Sequence, residues 1–314
     1  MSGYIGIDIG GTKCAVIRAD ADGRKLERVC FPTEGYRETI DRIMDTVAGM
    51  LPCRAIGISC GGPLDEERGV ILSPPNLPGW DEVAIVEMLG ARFGVPARLC
   101  NDANACALAE WKFGAGEGCR NMIFLTFGTG LGAGLILDGK LYSGTNGNAG
   151  EVGHMRLSEY GPVGYGKAGS FEGFCSGGGL KQIGQALARE QLQCGKETSF
   201  CHSYEELEQI SAKSLAIAAD AGDEVALRVY RMCAEKLGAG LALLIDLLNP
   251  ERIVIGSIFE RSEHLLRDEM QRIVARDALP QSAAVCQIVP AKLGDEIGDY
   301  AAIAVAMMAI HEEK

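Results

Sequence analysis

Two stretches of this chain repeat one pattern: an apolar run, a glycine-rich turn and a second apolar run. Tyr4 to Ile9 enters Gly10-Gly11 and leaves as Cys14 to Arg18. Asn121 to Phe127 enters Gly128-Thr129-Gly130-Leu131-Gly132 and leaves as Ala133 to Leu137. Short apolar runs bounded by turn residues predict strands. An ordinary hairpin needs only a two-residue turn, so this many glycines asks for another reason. Glycine accepts positive φ and lets phosphate oxygens reach successive backbone N–H groups. Each turn is therefore predicted to clamp phosphate. Either turn alone would pass for a plain β-turn; the pair points to a duplicated α/β architecture.

Side chains around the turns sharpen this reading. Asp8-Ile9-Gly10-Gly11-Thr12-Lys13 brings a carboxylate suited to hydrated Mg²⁺, a hydroxyl and a cation to the first turn. Neither turn is a Walker A loop, because G-x-x-x-x-G-K-[ST] does not occur. Gly128, Gly130 and Ala133 satisfy a loose G-x-G-x-x-A. That dinucleotide fingerprint opens a helix, whereas Gly134 to Gly139 reads as strand then turn. A dinucleotide-dependent oxidoreductase is set aside on that context.

Between and beyond the turns, Leu26 to Phe31, Ala55 to Ser59 and Ala97 to Cys100 read as strands. Ile40, Ile43, Met44 and Val47 recur at helical spacing, and Val83 to Phe93 and Ala103 to Phe113 read as helices. Past the glycine-rich region Gly144 to Gly179 the chain turns mostly helical, with strands at Arg252 to Ile255 and Val285 to Val289. An apolar helix from Asp299 to Ile310 follows and is expected to pack on a neighbouring element. Composition puts a boundary near Ala115 to Gly118. The predicted organisation is a small α/β lobe, 1–117, joined by the C-terminal helix 299–312, and a larger α/β lobe, 118–298.

Charge and cysteine usage exclude several classes. Asp and Glu number 42 against 30 Lys and Arg, a formal net charge of −12. Non-specific nucleic-acid binding needs a basic surface, so no nucleic-acid partner is expected. The start has no signal-like charged and apolar regions, and Leu237 to Leu248 and Tyr300 to Ile310 are too short to span a bilayer. The expectation is a cytoplasmic protein with no membrane partner. Twelve cysteines include no C-x-x-C pair, which reads as reduced thiols buried as small hydrophobes. Cys194, Cys201 and His202 are close in sequence, but Ser203 to Glu206 reads there as a helix capping box.

Several segments taken in order carry a family resemblance. They are Asp8 to Lys13, Pro75-Asn76-Leu77-Pro78-Gly79-Trp80, Asn101-Asp102-Ala103-Asn104-Ala105 and Phe127 to Gly132. Two more are Gly139-Lys140-Leu141-Tyr142 through Ala149-Gly150-Glu151-Val152-Gly153-His154, and Asn249 to Gly256. Together they resemble the ROK family of sugar kinases, bacterial glucokinases and their relatives, over nearly the whole chain. The resemblance implies a two-lobed actin-like (ribonuclease H-like) ATPase fold with duplicated phosphate-binding hairpins, ATP and sugar meeting in the interlobe cleft. It implies transfer of the γ-phosphoryl group to a hydroxyl, the 6-OH in relatives, of a hexose such as glucose.

By the same resemblance Asp102 is the catalytic base, and Asn76, Asn101, Asp102, Glu151, His154 and Glu172 bind the sugar. Gly10, Gly11, Thr12, Lys13, Gly128, Thr129, Gly130 and Gly256 bind ATP, and Asp8 faces Mg²⁺, directly or through water. Ser257 stands where the family has a glycine. Asp102 also lies where a strand ends and a helix begins, and from local sequence alone a helix cap fits it better than a base. Relatives are commonly homodimers, and a homodimer is expected. A catalytically weak sugar sensor of the same fold is the alternative. The family's repressors carry a helix-turn-helix domain ahead of the first phosphate motif, and none is expected with that motif at Asp8.

One departure stands out. Many members hold zinc through the histidine at His154 and three cysteines. Aligned on Glu172, this chain has Val163, Tyr165 and Ser170 in the cysteine positions, while Gly166 and Gly169 remain. Neither Val nor Ser replaces a thiolate. No zinc site is expected, and the Gly161 to Gly169 loop must be ordered otherwise, Tyr165 packing being one means.

Overall fold

The strand leading into the first glycine turn is buried along its length and pairs on both edges, which places it at the centre of a sheet. A computed structural model describes residues 2–310. In chain order its elements begin with β1 (Gly3–Ile9), β2 (Lys13–Ala19), β3 (Lys25–Pro32), α1 (Tyr36–Met50) and β4 (Cys53–Cys60). Next come β5 (Leu64–Asp65), β6 (Val70–Ile71), α2 (Ile85–Phe93), β7 (Ala97–Asn101) and α3 (Asp102–Phe113). Then follow β8 (Met122–Phe127), β9 (Leu131–Leu137), β10 (Lys140–Leu141), β11 (Val163–Gly164), β12 (Lys167–Ala168) and α4 (Phe171–Phe174). The rest are α5 (Gly177–Gln193), α6 (Ala212–Asp220), α7 (Glu224–Leu248), β13 (Arg252–Ile255), α8 (Ile258–Asp277), α9 (Pro280–Ala283), β14 (Gln287–Pro290) and α10 (Ile297–Met308). The fold is mixed α/β, with two five-stranded sheets ordered β3-β2-β1-β4-β7 and β10-β9-β8-β13-β14.

The chain divides into two compact units. The first comprises Met1–Cys119, Gly134–Ala149 and Lys292–Lys314. Its sheet runs antiparallel through β3, β2 and β1, then parallel through β4 and β7. One apolar core joins Ile5, Ile7, Ile56 and Ile58 to Ile40, Ile43 and Val47 of α1 and Leu89 of α2. A second joins Tyr4, Ile17 and Ala55 to Ile303 and Ala306 of α10. This helix lies unusually close to the sheet: a Cβ at Gly57 would fall 2.1 Å from the Ala306 nitrogen, and one at Gly6 2.8 Å from the Ala302 Cβ. Two strand glycines thus accept an alanine-rich helix face, a case of backbone approaching backbone.

One buried carboxylate ties this unit's separate chain segments together. Glu110 of α3 is 0% exposed. Its Oε2 accepts from the Ala115 N–H at 2.7 Å, and its Oε1 from the N–H groups of Lys292 and Leu293 at 3.0 and 2.9 Å. Those bonds satisfy backbone donors at two chain turns that no strand or helix ladder serves.

The second unit comprises Arg120–Ala133 and Gly150–Ala291. Strands β8, β13 and β14 run parallel in it. Glycines again set helix spacing: Gly238 of α7 lies against Ile273 of α8, and Gly240 against the Phe171 ring.

Several boundaries differ from the sequence reading for local reasons. The helix read from Val83 starts at Ile85, because Val83 forms a β-bridge with Ile71. The strand read from Val285 starts at Gln287, because Val285 and Cys286 still bond back to the α9 turn. The Ser203–Glu206 capping box does not form; Tyr204–Gln209 is a 3₁₀ helix, and Glu206 accepts the His202 N–H at 2.7 Å instead. The last helix runs from Ile297 to Met308, and positions 311 and 312 of the expected helix lie outside the described residues. Eight of the twelve cysteines are buried, and Cys30 and Cys194 are exposed. No helix among the described residues is long and apolar enough to cross a membrane.

Candidate functional site

The predicted residues fall into two sets, one in each unit. In the first unit, three adjacent parallel strands, β1, β4 and β7, all end at one sheet edge. Residues beyond the carboxyl ends of parallel strands are where α/β sheets place ligands. The loops there are Gly10 to Lys13 after β1, Gly61-Gly62-Pro63 after β4, and Asn101-Asp102 closing β7. The first turn is closed by Gly10 N–H donating to Lys13 O at 3.1 Å and by Thr33 Oγ1 donating to Gly10 O at 2.6 Å. Gly11, Thr12 and Lys13 are exposed at its tip. Asn76 lies against it: a Cβ at Gly11 would sit 2.7 Å from the Asn76 Cβ.

The helix cap at β7–α3 belongs to Asn101. Its Oδ1 accepts from Ala103 N–H at 2.9 Å and Asn104 N–H at 3.5 Å. Asp102 is the first helical residue; its Oδ1 shares the Ala103 N–H at 2.8 Å, and its Oδ2 lies 3.7 Å from where a Gly61 Cβ would be. A second carboxylate fixes the segment from behind. Glu66, at the β5–β6 hairpin, accepts the Asn101 N–H at 2.7 Å.

Electrostatics in this set are governed first by burial. Burial, then the Asp299 and Asp102 carboxylates, push Asp8 up to about 6, against the pull of Lys13 and Arg28. Asp299 is itself engaged by Lys25 at 3.0 Å and Arg28 at 2.8 Å. Burial also raises Asp102 above the usual carboxylate range, opposed by the Ala103 N–H; the residue nonetheless keeps a face open to solvent. A carboxylate that resists ionising in this way favours a nearby cation.

In the second unit, β8 and β13 are neighbouring parallel strands, and Gly128 and Gly256 follow their carboxyl ends. The turn is tight, with Gly128 N–H donating to Gly130 O at 3.1 Å. Helix α5 begins against it: Gly177 N–H donates to Gly128 O at 2.8 Å, and Ser176 caps the helix by accepting from Gly179 N–H at 2.9 Å. Helix α8 begins beside it, since a Cβ at Gly128 would sit 3.7 Å from Ser257 Oγ. A glycine turn flanked by two helix N-termini is a favourable place for phosphate.

Ser257 has a backbone conformation suited to glycine, with φ 60° and ψ −106°. That is the first central position of a type II′ turn, where glycine belongs. Its hydroxyl accepts from Arg261 Nη2 at 3.0 Å, and its N–H donates to Glu260 at 2.9 Å. Ser257→Gly is expected to raise stability by about 1 kcal/mol, since a non-glycine residue held in such a region costs roughly that or more. A urea unfolding midpoint at or below wild type would contradict it.

The remaining predicted residues cluster around α4. Glu151 precedes the 3₁₀ turn Val152–His154, and both Glu151 and His154 are exposed. Glu172 is tied to the glycine turn: its Oε2 accepts from Leu131 N–H at 3.1 Å. Cβ atoms at Gly130, Gly153 and Gly164 would each crowd its side chain, at 2.7, 3.2 and 2.9 Å. The Gly161 to Gly169 loop is ordered by protein bonds. Gln182 donates to Val163 O and accepts from Val163 N–H, both at 2.8 Å; Arg156 reaches Ala168 O at 3.0 Å, and Gly169 N–H reaches Pro162 O at 2.9 Å. Ser170 is fully buried and caps α4 by accepting from Gly173 N–H at 3.0 Å.

Comparison with known proteins adds a second line of support. The profile described as ROK family matches residues 4–309. The glucokinase of Streptomyces coelicolor is 35% identical over 307 residues, covering 94% of each chain. The xylose repressor of Caldicellulosiruptor bescii is 30% identical over 275 residues, 87% of this chain and 66% of the repressor. The crystal structure of a ROK family glucokinase from Streptomyces griseus, in complex with glucose and AMPPNP, superposes with a TM-score of 0.75. It is 32% identical and matches 97% of this chain and 99% of that one.

Proposed function

The chain belongs to the ROK family, and from that premise we propose that it transfers the γ-phosphoryl group of ATP to the 6-OH of a hexose such as glucose. The observation that carries this reading is the division of labour at β7–α3. Asn101 caps the helix, which leaves Asp102 at the carboxyl edge of the sheet, open to solvent on one face and held above the usual carboxylate range. Phosphoryl transfer asks the protein for positioning, charge neutralisation and a destination for the hydroxyl proton. In this reading Asp102 accepts that proton. Asn76, Asn101, Glu151, His154 and Glu172 hold the sugar hydroxyls, for which carboxylates and amides are suitable partners.

In this reading the glycine turns at Gly10 to Lys13 and at Gly128 to Gly130, with Gly256, hold the phosphates. Asp8 is the residue that would hold Mg²⁺, directly or through water, and the ion would neutralise phosphate charge. In this reading Glu172 joins two functions, steadying the second turn through one carboxylate oxygen and meeting the sugar. The same reading carries a homodimer in the cytoplasm with no nucleic-acid or membrane partner.

ADP release measured across a panel of hexoses and amino sugars tests the proposal. Turnover with at least one sugar is expected. Sugar binding with no ADP release from any of them would instead place the chain with relatives such as the xylose repressor.

A further inference from the structure

Tyr165 combines three properties that packing does not account for. First, its backbone is strained: Tyr165 and Gly166 form the β11–β12 turn with φ of 43° and 76°, the positive pair of a type I′ turn. Asn, Asp or Gly normally fills the first of those positions. Second, the side chain is 81% exposed, so no core burial holds it there. Third, its ring meets the His154 imidazole edge-to-face, with centroids 5.2 Å apart and planes at 81°. Strain retained without burial is a mark of a functional position.

The hairpin does not depend on the ring for its shape. Gln182 grips both backbone groups of Val163, and Lys167 Nζ donates to His154 O at 2.6 Å, tying the hairpin to the histidine segment by a lysine side chain. The contact between the rings is additional to those ties. What it restricts is the orientation of the imidazole, whose own residue is otherwise exposed.

We propose that Tyr165 is a positioning residue that fixes the His154 imidazole so that its ring nitrogen meets a hydroxyl of the bound pyranose. The proposal rests on the sugar-binding role given to His154 above. It gives this chain an aromatic device for orienting that histidine, built on a turn whose residue type is otherwise unfavourable.

The test is a double-mutant cycle read by calorimetric binding of sugar, with KM and kcat taken alongside. The probe is the sugar that releases ADP, or glucose if none does. Tyr165→Ala is expected to weaken sugar binding and raise KM about tenfold, the scale of one aromatic pair, with kcat within about twofold. Tyr165→Phe keeps the ring and should bind like wild type. Tyr165→Asn suits the turn but lacks the ring, and should behave as the alanine variant, which separates loss of the ring from loss of the fold. In a His154→Ala background, Tyr165→Ala should cause no further loss. Wild-type affinity in Tyr165→Ala, or losses that multiply in the double variant, would overturn the proposal, the second by showing that Tyr165 touches the sugar itself. Binding without ADP release defeats the kinase reading and leaves this one standing, whereas no binding by any variant defeats both.

Discussion

Asp102→Asn is expected to lower kcat by about a thousandfold, within the range that a positioned general base contributes. The KM for sugar should move far less, because the amide keeps the size and hydrogen-bonding reach of the carboxylate. The pH dependence gives a second, independent reading. Asp102 must be deprotonated to accept a proton, and burial raises its pKa above the usual carboxylate range. Activity should therefore fall as pH drops through that raised value, and kcat/KM of the wild type should show its acid limb above the usual range.

Stability responds with the opposite sign. A carboxyl whose folded-state pKa is raised favours the protonated form, so its contribution weakens the fold as pH rises through that pKa. Asp102→Asn should then unfold at a urea midpoint no lower than wild type at neutral pH. An activity within tenfold of wild type, from a variant folded by that measure, would remove Asp102 from the role of base.

The second large effect concerns stability alone. Glu110→Ala is expected to cost about 4 kcal/mol, because it removes a carboxylate to which three backbone N–H groups donate and opens a cavity in a fully buried position. Glu110→Gln should cost less than alanine. Its carbonyl oxygen still accepts from Lys292 and Leu293, but its amide nitrogen cannot accept from Ala115. Urea unfolding of both variants checks the order as well as the size. A loss below about 1 kcal/mol in Glu110→Ala would mean that the three donors find water or relax, and that the tie is dispensable.

The parts of this molecule that were legible in its sequence are those set by neighbours in the chain. Both glycine turns, the strands entering and leaving them, and the Asn101-Asp102 junction follow from periodicity and turn chemistry over a few residues. The assignment of the cap within that junction did not follow. Both residue types cap helices well, and only the backbone shows Asn101 outside the helix and Asp102 in its first position. Ser257 could be seen as a substitution, but its strain could not, because φ is a property of the fold around it.

Other features were silent because they join distant segments. Glu66 meets Asn101 across 35 positions, and Glu110 meets Leu293 across 183. A lone glutamate carries no local signal of such a partner. Glycines at 6 and 57 look like strand irregularities until α10 is seen against them. The loop at 161–169 was readable only by what it lacked; its actual supports, Gln182 and Arg156, lie outside it in sequence.

The arrangement of the first unit has a consequence for how the chain is made. Its sheet and Asp8 come early, but α10, which fills the groove over Gly6 and Gly57, is translated after the whole second unit. At roughly 5–20 residues per second, on the order of ten seconds or more separates Gly150 from Ile297 on the ribosome. During that interval the nascent first unit shows an uncovered apolar sheet face bearing Tyr4, Ile17 and Ala55. The second unit's residues are all out before the first unit can close, so a chaperone that shields exposed apolar strands would act on the N-terminal segment, and for longest.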